Sequence, residues 1–175
     1  MKLYYSAEQI ARAIEQVAEK INASYVDVSN DSSVVVVAVL KGAAFFFADL
    51  TRKLTFPLEF DFIRASSYGN ERFSSGEIRL TKDVELSLEG RRVLIVEDVV
   101  DSGRTLDALR RLFLSRGASE VRIVVLLNKE TKRAIDVPID FCALKTDNRY
   151  LVGYGLDDGE KGRNLPDIWV VEPPK

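Results

Sequence analysis

Residues 92–105 constrain this chain more than any other stretch. Val93-Leu94-Ile95-Val96 is an apolar, β-branched run that stops on two adjacent carboxylates, Glu97 and Asp98. A third carboxylate, Asp101, follows after Val99-Val100, and Ser102-Gly103-Arg104-Thr105 then makes a turn of small and polar residues. Residues 92–97 read as a strand and residues 105–116 as a helix closed by Gly117, a residue suited to the position just past a helix end. A strand handed to a helix through so short a turn belongs to a parallel sheet with helical crossovers.

The rest of the chain agrees. Ser6 and Gln9 have the spacing of a capping box, and Ile10, Ile14, Val17 and Ile21 recur at helical intervals, which predicts a helix over 7–23. Residues 34–40 form a β-branched run short enough for a strand buried on both faces. Residues 42–54 read as a helix whose Phe45, Phe46 and Phe47 pack the core. A strand is expected over 58–65, a mobile polar loop over 66–76, and a hairpin formed by 77–81 with 84–88. Further strands are expected at 121–127, 141–144, 151–155 and 168–171. The fold class is therefore α/β, one domain over 1–175, with a central, mainly parallel twisted sheet flanked by helices. In such sheets ligands bind beyond the carboxyl ends of the strands. Lys41-Gly42, Ser66-Ser67-Tyr68, Glu97 to Thr105 and Asn128-Lys129 all begin where a strand is expected to end, so they should meet on one rim.

Several functions are excluded or disfavoured. The chain has no histidine, which removes histidine triads, histidine zinc sites and imidazole bases. Its formal charge of −2 argues against a broad basic face for nucleic acid. The single cysteine, Cys142, cannot close an internal disulfide and is expected as a buried strand residue. A reducing compartment fits it, and no apolar run approaches the ~20 residues that span a bilayer. With charged residues interrupting the N-terminus, no signal peptide is expected, so the expected location is the cytoplasm.

Two neighbouring carboxylates repel, and a buried pair needs a cation or hydroxyl donors to stay ionised. A ribose diol and Mg²⁺ both meet that need. The turn at Ser102-Gly103-Arg104-Thr105 offers backbone N–H groups, hydroxyls and a helix start, which together suit a phosphate. It lacks the spacing of a Walker A loop. The competing interpretation is an acidic turn in which Asp101 or Ser102 merely caps the helix. The combination points to an enzyme that handles a phosphorylated sugar.

The run Glu97-Asp98-Val99-Val100-Asp101-Ser102-Gly103-Arg104-Thr105 resembles the phosphoribosyl pyrophosphate signature of type I phosphoribosyltransferases, and of their 6-oxopurine branch in particular. Leu40-Lys41-Gly42, Ala65 to Gly69, Leu127-Asn128-Lys129, Arg149 to Asp157 and Arg163 to Pro166 resemble the other motifs of that branch in the same order. The resemblance implies the type I phosphoribosyltransferase fold, with a small hood region and a flexible active-site loop. It implies transfer of ribose 5-phosphate from phosphoribosyl pyrophosphate to N9 of hypoxanthine or guanine, with Mg²⁺ as cofactor. Glu97 and Asp98 would bind the ribose hydroxyls directly or through the metal, and Asp157 would hold a second metal. Asp101 would act as proton partner at N7, and Asp101, Ser102, Gly103, Arg104 and Thr105 would cradle the 5′-phosphate. Lys41, Gly42 and Arg163 would contact pyrophosphate. Lys129 would read O6, Tyr150 would stack on the purine, Leu151 would use its backbone on the base edge, and the Asp157 carbonyl would meet a guanine amino group. Ser67 and Tyr68 would belong to the closing loop. A cis peptide is expected at Leu40–Lys41. Gly159 and Gly162 depart from the pattern, since many relatives carry an aromatic residue in that segment. A homo-oligomer, dimer or tetramer, is implied. A nucleotide-sensing RNA-binding regulator on the same fold, or a transferase preferring xanthine, are the alternatives.

Overall fold

The computed structural model describes residues 1–29, 32–67, 78–130 and 134–171. Its main sheet has six strands in the order β4-β3-β2-β5-β6-β7. These are β2 (Val34–Val39), β3 (Leu58–Ser67), β4 (Ile78–Lys82), β5 (Arg92–Val100), β6 (Glu120–Lys129) and β7 (Phe141–Thr146). All neighbours run parallel except β3 and β4. Among the described residues, three helices cover the sheet: α1 (Ala7–Ser24), α2 (Ala44–Thr51) and α3 (Arg104–Ser115).

β2 shows why the sequence takes this form. Every one of its six residues is buried. Side chains alternate between the two faces of a strand, so Val34, Val36 and Ala38 join the core under α1 and α2. Val35, Val37 and Val39 join a second core under α3. α1 starts where its capping box places it: Ser6 Oγ accepts from Gln9 N, and Gln9 Oε1 accepts from Ser6 N. Its buried stripe is Ile10, Ala13, Ile14, Val17, Ala18 and Ile21.

A second, antiparallel sheet has the order β1-β9-β8, built from β1 (Lys2–Tyr5), β8 (Leu151–Val152) and β9 (Ile168–Val170). It joins the chain's first residues to its last described ones, with Lys2 opposite Val170.

Some expectations need correction. The hairpin of 77–81 with 84–88 does not form: β4 pairs with β3, and residues 84–88 carry no strand. The buried Asp61 carboxylate takes the backbone N–H groups of Glu85 and Leu86, at 2.6 and 3.0 Å, which a partner strand would otherwise bond. The α2 helix begins at Ala44 rather than residue 42, so Lys41 and Gly42 remain in the turn before it. β8 stops at Val152 because Gly153, Tyr154 and Gly155 take φ of +106°, +49° and +97°, values incompatible with a strand. Cys142 lies in β7 as expected but is only half-buried.

Candidate active site

β5 was expected to end near Glu97, yet it runs on to Val100. β2 pairs with it only as far as Val96, while β6 continues to Val100 opposite Asn128. The last four residues of β5 therefore have a strand on one side only. A cleft of about 290 Å³ opens where β2 turns away, lined by Leu40, Lys41, Gly42, Ala65, residues 97–103, Thr105 and Leu106.

Glu97 and Asp98 form its floor. Burial, aided by the neighbouring Asp98, pushes the Glu97 carboxyl well above the usual range. Burial also raises Asp98, opposed by its bond with Glu97 and by the Val99 N–H. Among the described residues neither carboxylate has an ion pair, and Arg163 is the cation whose charge acts on Asp98. Desolvated oxygens short of counter-charge suit a hard divalent cation or a diol.

The two sides of the cleft are locked by glycines. A Cβ on Gly42 would lie 1.6 Å from Asp98 Oδ2, and a Cβ on Gly155 would lie 2.0 Å from Gly42 O. The Asp98 side chain thus packs on the backbone of the turn after β2, and that turn on the backbone of the loop after β8, with no room for a Cβ between them. The Leu40–Lys41 peptide in that turn is cis, as expected.

α3 opens on Gly103, whose φ is +78° and whose cap carries no side-chain hydrogen bond. The interpretation of Asp101 or Ser102 as a helix cap is thereby overturned. Among the described residues, Ser102 Oγ accepts only from Arg104 N, at 3.4 Å. A helix start without a cap leaves first-turn N–H groups for an anion. The Arg104 side chain is exposed beside it, and Thr105 lines the cleft.

Above this floor, Lys129 Nζ donates to Asp101 Oδ2 at 2.7 Å. The lysine is largely buried and the aspartate open to the cleft. Tyr150 is exposed, and its hydroxyl lies 3.3 Å from the Asp157 carbonyl. Leu151 is buried in the core, so only its backbone can meet a ligand.

Asp157 is not free: Arg163 Nη2 lies 2.7 Å from its Oδ1, and Glu160 N donates to its Oδ2 at 2.8 Å. Arg163 also donates to Gly155 O at 2.7 Å. Lys41 donates to Glu160 Oε2 at 2.7 Å and holds that carboxyl below its ordinary range. The structure therefore gathers Lys41, Gly42, Glu97, Asp98 and residues 101–105 around one cleft, with Lys129 joined through Asp101. Tyr150, Leu151, Asp157 and Arg163 stand on the β8 side. Tyr68 lies outside the described residues, and of Ser67 only the backbone, at the end of β3, is described.

Two residues escaped the sequence. Gly155 is required by its approach to Gly42, and Glu160 ties Lys41 to Arg163. The repeated glycines of Gly153-Tyr154-Gly155 signalled the first; a charged residue after Gly159 gave no signal of its own.

An acidic pair beside an uncapped helix start suits a phosphorylated sugar, and the chain belongs to the phosphoribosyltransferase family: residues 2–158 match the phosphoribosyl transferase domain. Within the family it is similar to hypoxanthine-guanine phosphoribosyltransferases. The Bacillus subtilis enzyme of that name is 41% identical over 172 residues, covering 98% of this chain and 93% of the relative. The hypoxanthine-guanine-xanthine phosphoribosyltransferase of Tritrichomonas foetus is 37% identical, covering 98% and 91%. A solved structure of Trypanosoma cruzi hypoxanthine phosphoribosyl transferase superposes with a TM-score of 0.94 at 36% identity, covering 99% of this chain and 92% of that one.

Proposed function

We propose that the chain is a purine salvage enzyme that transfers the 5-phosphoribosyl group of phosphoribosyl pyrophosphate to N9 of hypoxanthine or guanine. The C1′–O bond to pyrophosphate breaks, the C1′–N9 bond forms, and the base gives up its N7 proton.

The Lys129–Asp101 pair carries this assignment. It presents an ammonium donor and a carboxylate acceptor 2.7 Å apart. On a 6-oxopurine, O6 and N7 lie side by side on one edge. In the N7–H tautomer that edge offers an acceptor and a donor, the complement of the pair. Insertion of the base exchanges the ion pair for two hydrogen bonds, leaving Asp101 placed to take the N7 proton. Adenine offers an amino donor to the Lys129 donor, an unpaired contact that costs about 1–3 kcal/mol.

The ribose diol is assigned to Glu97 and Asp98, the 5′-phosphate to residues 101–105, and pyrophosphate to Lys41, Gly42 and Arg163. Tyr150 stacks on the base, and Leu151 and the Asp157 carbonyl meet its edge. Glu97 and Asp98 would hold one Mg²⁺ and Asp157 a second, and the ions would supply neutralisation of charge on the leaving pyrophosphate. The assignment of Glu97 and Asp98 is supported by their desolvated oxygens, which lack an ion-pair partner among the described residues. A homo-oligomer is supported by the exposed rings of Phe45 and Phe60, and a cytoplasmic setting by the lone cysteine.

The test is a panel of hypoxanthine, guanine, xanthine and adenine, each with phosphoribosyl pyrophosphate and Mg²⁺. Nucleotide is expected from the first two and not from adenine. Folded protein that converts neither hypoxanthine nor guanine rules the assignment out.

A further inference from the structure

Residues 158–161 form a two-residue hairpin, with Asp158 N donating to Lys161 O at 2.9 Å and Lys161 N to Asp158 O at 3.1 Å. Both central residues are left-handed: Gly159 has φ +57° and Glu160 has φ +68°. This is the geometry of a type I′ turn, which favours glycine or asparagine at its centre. Gly159 meets that preference and Glu160 does not. A long charged side chain held in left-handed backbone is an outlier that points to a role for the side chain.

That side chain reaches the cations of the site. Glu160 Oε2 accepts from Lys41 Nζ at 2.7 Å and lies 3.4 Å from Arg163 Nη2. The backbone N–H of Glu160, bonded to Asp157 Oδ2 at 2.8 Å, fixes the direction of the turn. Lys41 and Arg163 are the two cations assigned to pyrophosphate, and any role for Glu160 in binding that group rests on their assignment. One carboxylate oxygen thus stands between two groups placed to receive a polyanion.

We infer that Glu160 is an internal counter-anion that competes with pyrophosphate for Lys41 and Arg163, loosening its hold on the enzyme and hastening its departure. The contact is suited to exchange. The side chains of Lys41 and Glu160 are 46% and 63% exposed, and ion pairs so open to water are weak. A bound anion of several charges displaces such a carboxylate, which returns when pyrophosphate leaves. Arg163 does not depend on it, being held to Gly155 O and Asp157 at 2.7 Å each. Removing the Glu160 charge therefore frees Lys41 without unseating Arg163.

Two variants test this. Glu160→Gln keeps the side-chain length and removes the charge; Glu160→Gly removes the side chain and suits the turn. The readouts are the affinity of the nucleotide-bound enzyme for pyrophosphate at fixed Mg²⁺, and the rate of pyrophosphate release. Both variants are expected to bind pyrophosphate roughly two- to fivefold more tightly and to release it more slowly by a similar factor. Affinity for inosine monophosphate alone stays as in the wild type. Lys41→Gln, added to Glu160→Gln, erases the gain. Pyrophosphate affinity in Glu160→Gln and Glu160→Gly that equals or falls below the wild-type value overturns the inference. Unchanged pyrophosphate affinity in Lys41→Gln alone would instead remove the assignment of Lys41 on which it rests.

Discussion

Gly42→Ala is the smallest change that should disable the site. The added methyl carbon would sit 1.6 Å from Asp98 Oδ2 and 2.5 Å from its Cγ, about 2 Å short of ordinary contact. The turn cannot retreat, since Gly42 O already lies where a Cβ on Gly155 would be only 2.0 Å away. The strain falls on the Asp98 carboxylate, which must leave the cleft floor and its 2.6 Å bond from Val99 N. A displacement of about 1 Å in a positioned group can reduce rate about a hundredfold, and overpacking of this kind destabilises by about 1–3 kcal/mol. The expected outcome is a folded protein, with a modestly lower Tm, whose kcat/KM for hypoxanthine falls about a hundredfold or more. Steady-state kinetics beside thermal unfolding separates the two effects. A Gly42→Ala variant with wild-type kcat/KM would show that the position of the Asp98 carboxylate does not matter to the reaction.

Asp101→Asn should lower kcat by about a hundredfold or more while changing the KM for phosphoribosyl pyrophosphate little; equal losses in both would make Asp101 a binding group rather than a proton acceptor. Lys129→Met removes the donor to O6, and the preference for hypoxanthine over adenine, measured as a ratio of kcat/KM, should fall roughly 5- to 150-fold. Asp61→Ala strands three backbone N–H groups, those of Phe62, Glu85 and Leu86, and should cost about 3 kcal/mol in denaturant unfolding. Burial raises the Asp61 carboxyl, but these hydrogen bonds and Lys82 outweigh it and hold it below its ordinary value of 3.8. Its contribution is therefore fully present above pH 3.8 and is lost as pH falls through the lower folded value, so the gap between wild type and Asp61→Ala should narrow in acid.

Local patterns carried the elements whose cause is local. The capping box and the apolar stripe marked α1, and unbroken β-branched runs marked β2 and β5, because each pattern fits one periodicity. Long-range causes left no such mark. β1 is four residues whose strand partner among the described residues lies near the other end of the chain. Residues 84–88 alternate like a strand, yet Asp61, more than twenty positions earlier, claims their backbone. In the site, the acidic pair and the helix start were legible because strand, turn and helix are contiguous. The pairing of Lys129 with Asp101 and the reach of Glu160 to Lys41 depend on the way strands and loops are stacked, so residue types alone did not reveal them.

The most direct test is a single turnover. Enzyme loaded with phosphoribosyl pyrophosphate and Mg²⁺ is mixed with hypoxanthine, and inosine monophosphate and pyrophosphate are both quantified. Equal amounts of the two are expected, with the nucleotide linked through N9, and both should be lost when Mg²⁺ is chelated. Phosphoribosyl pyrophosphate that binds and yields no nucleotide, or pyrophosphate that appears without it, would contradict transfer to the base.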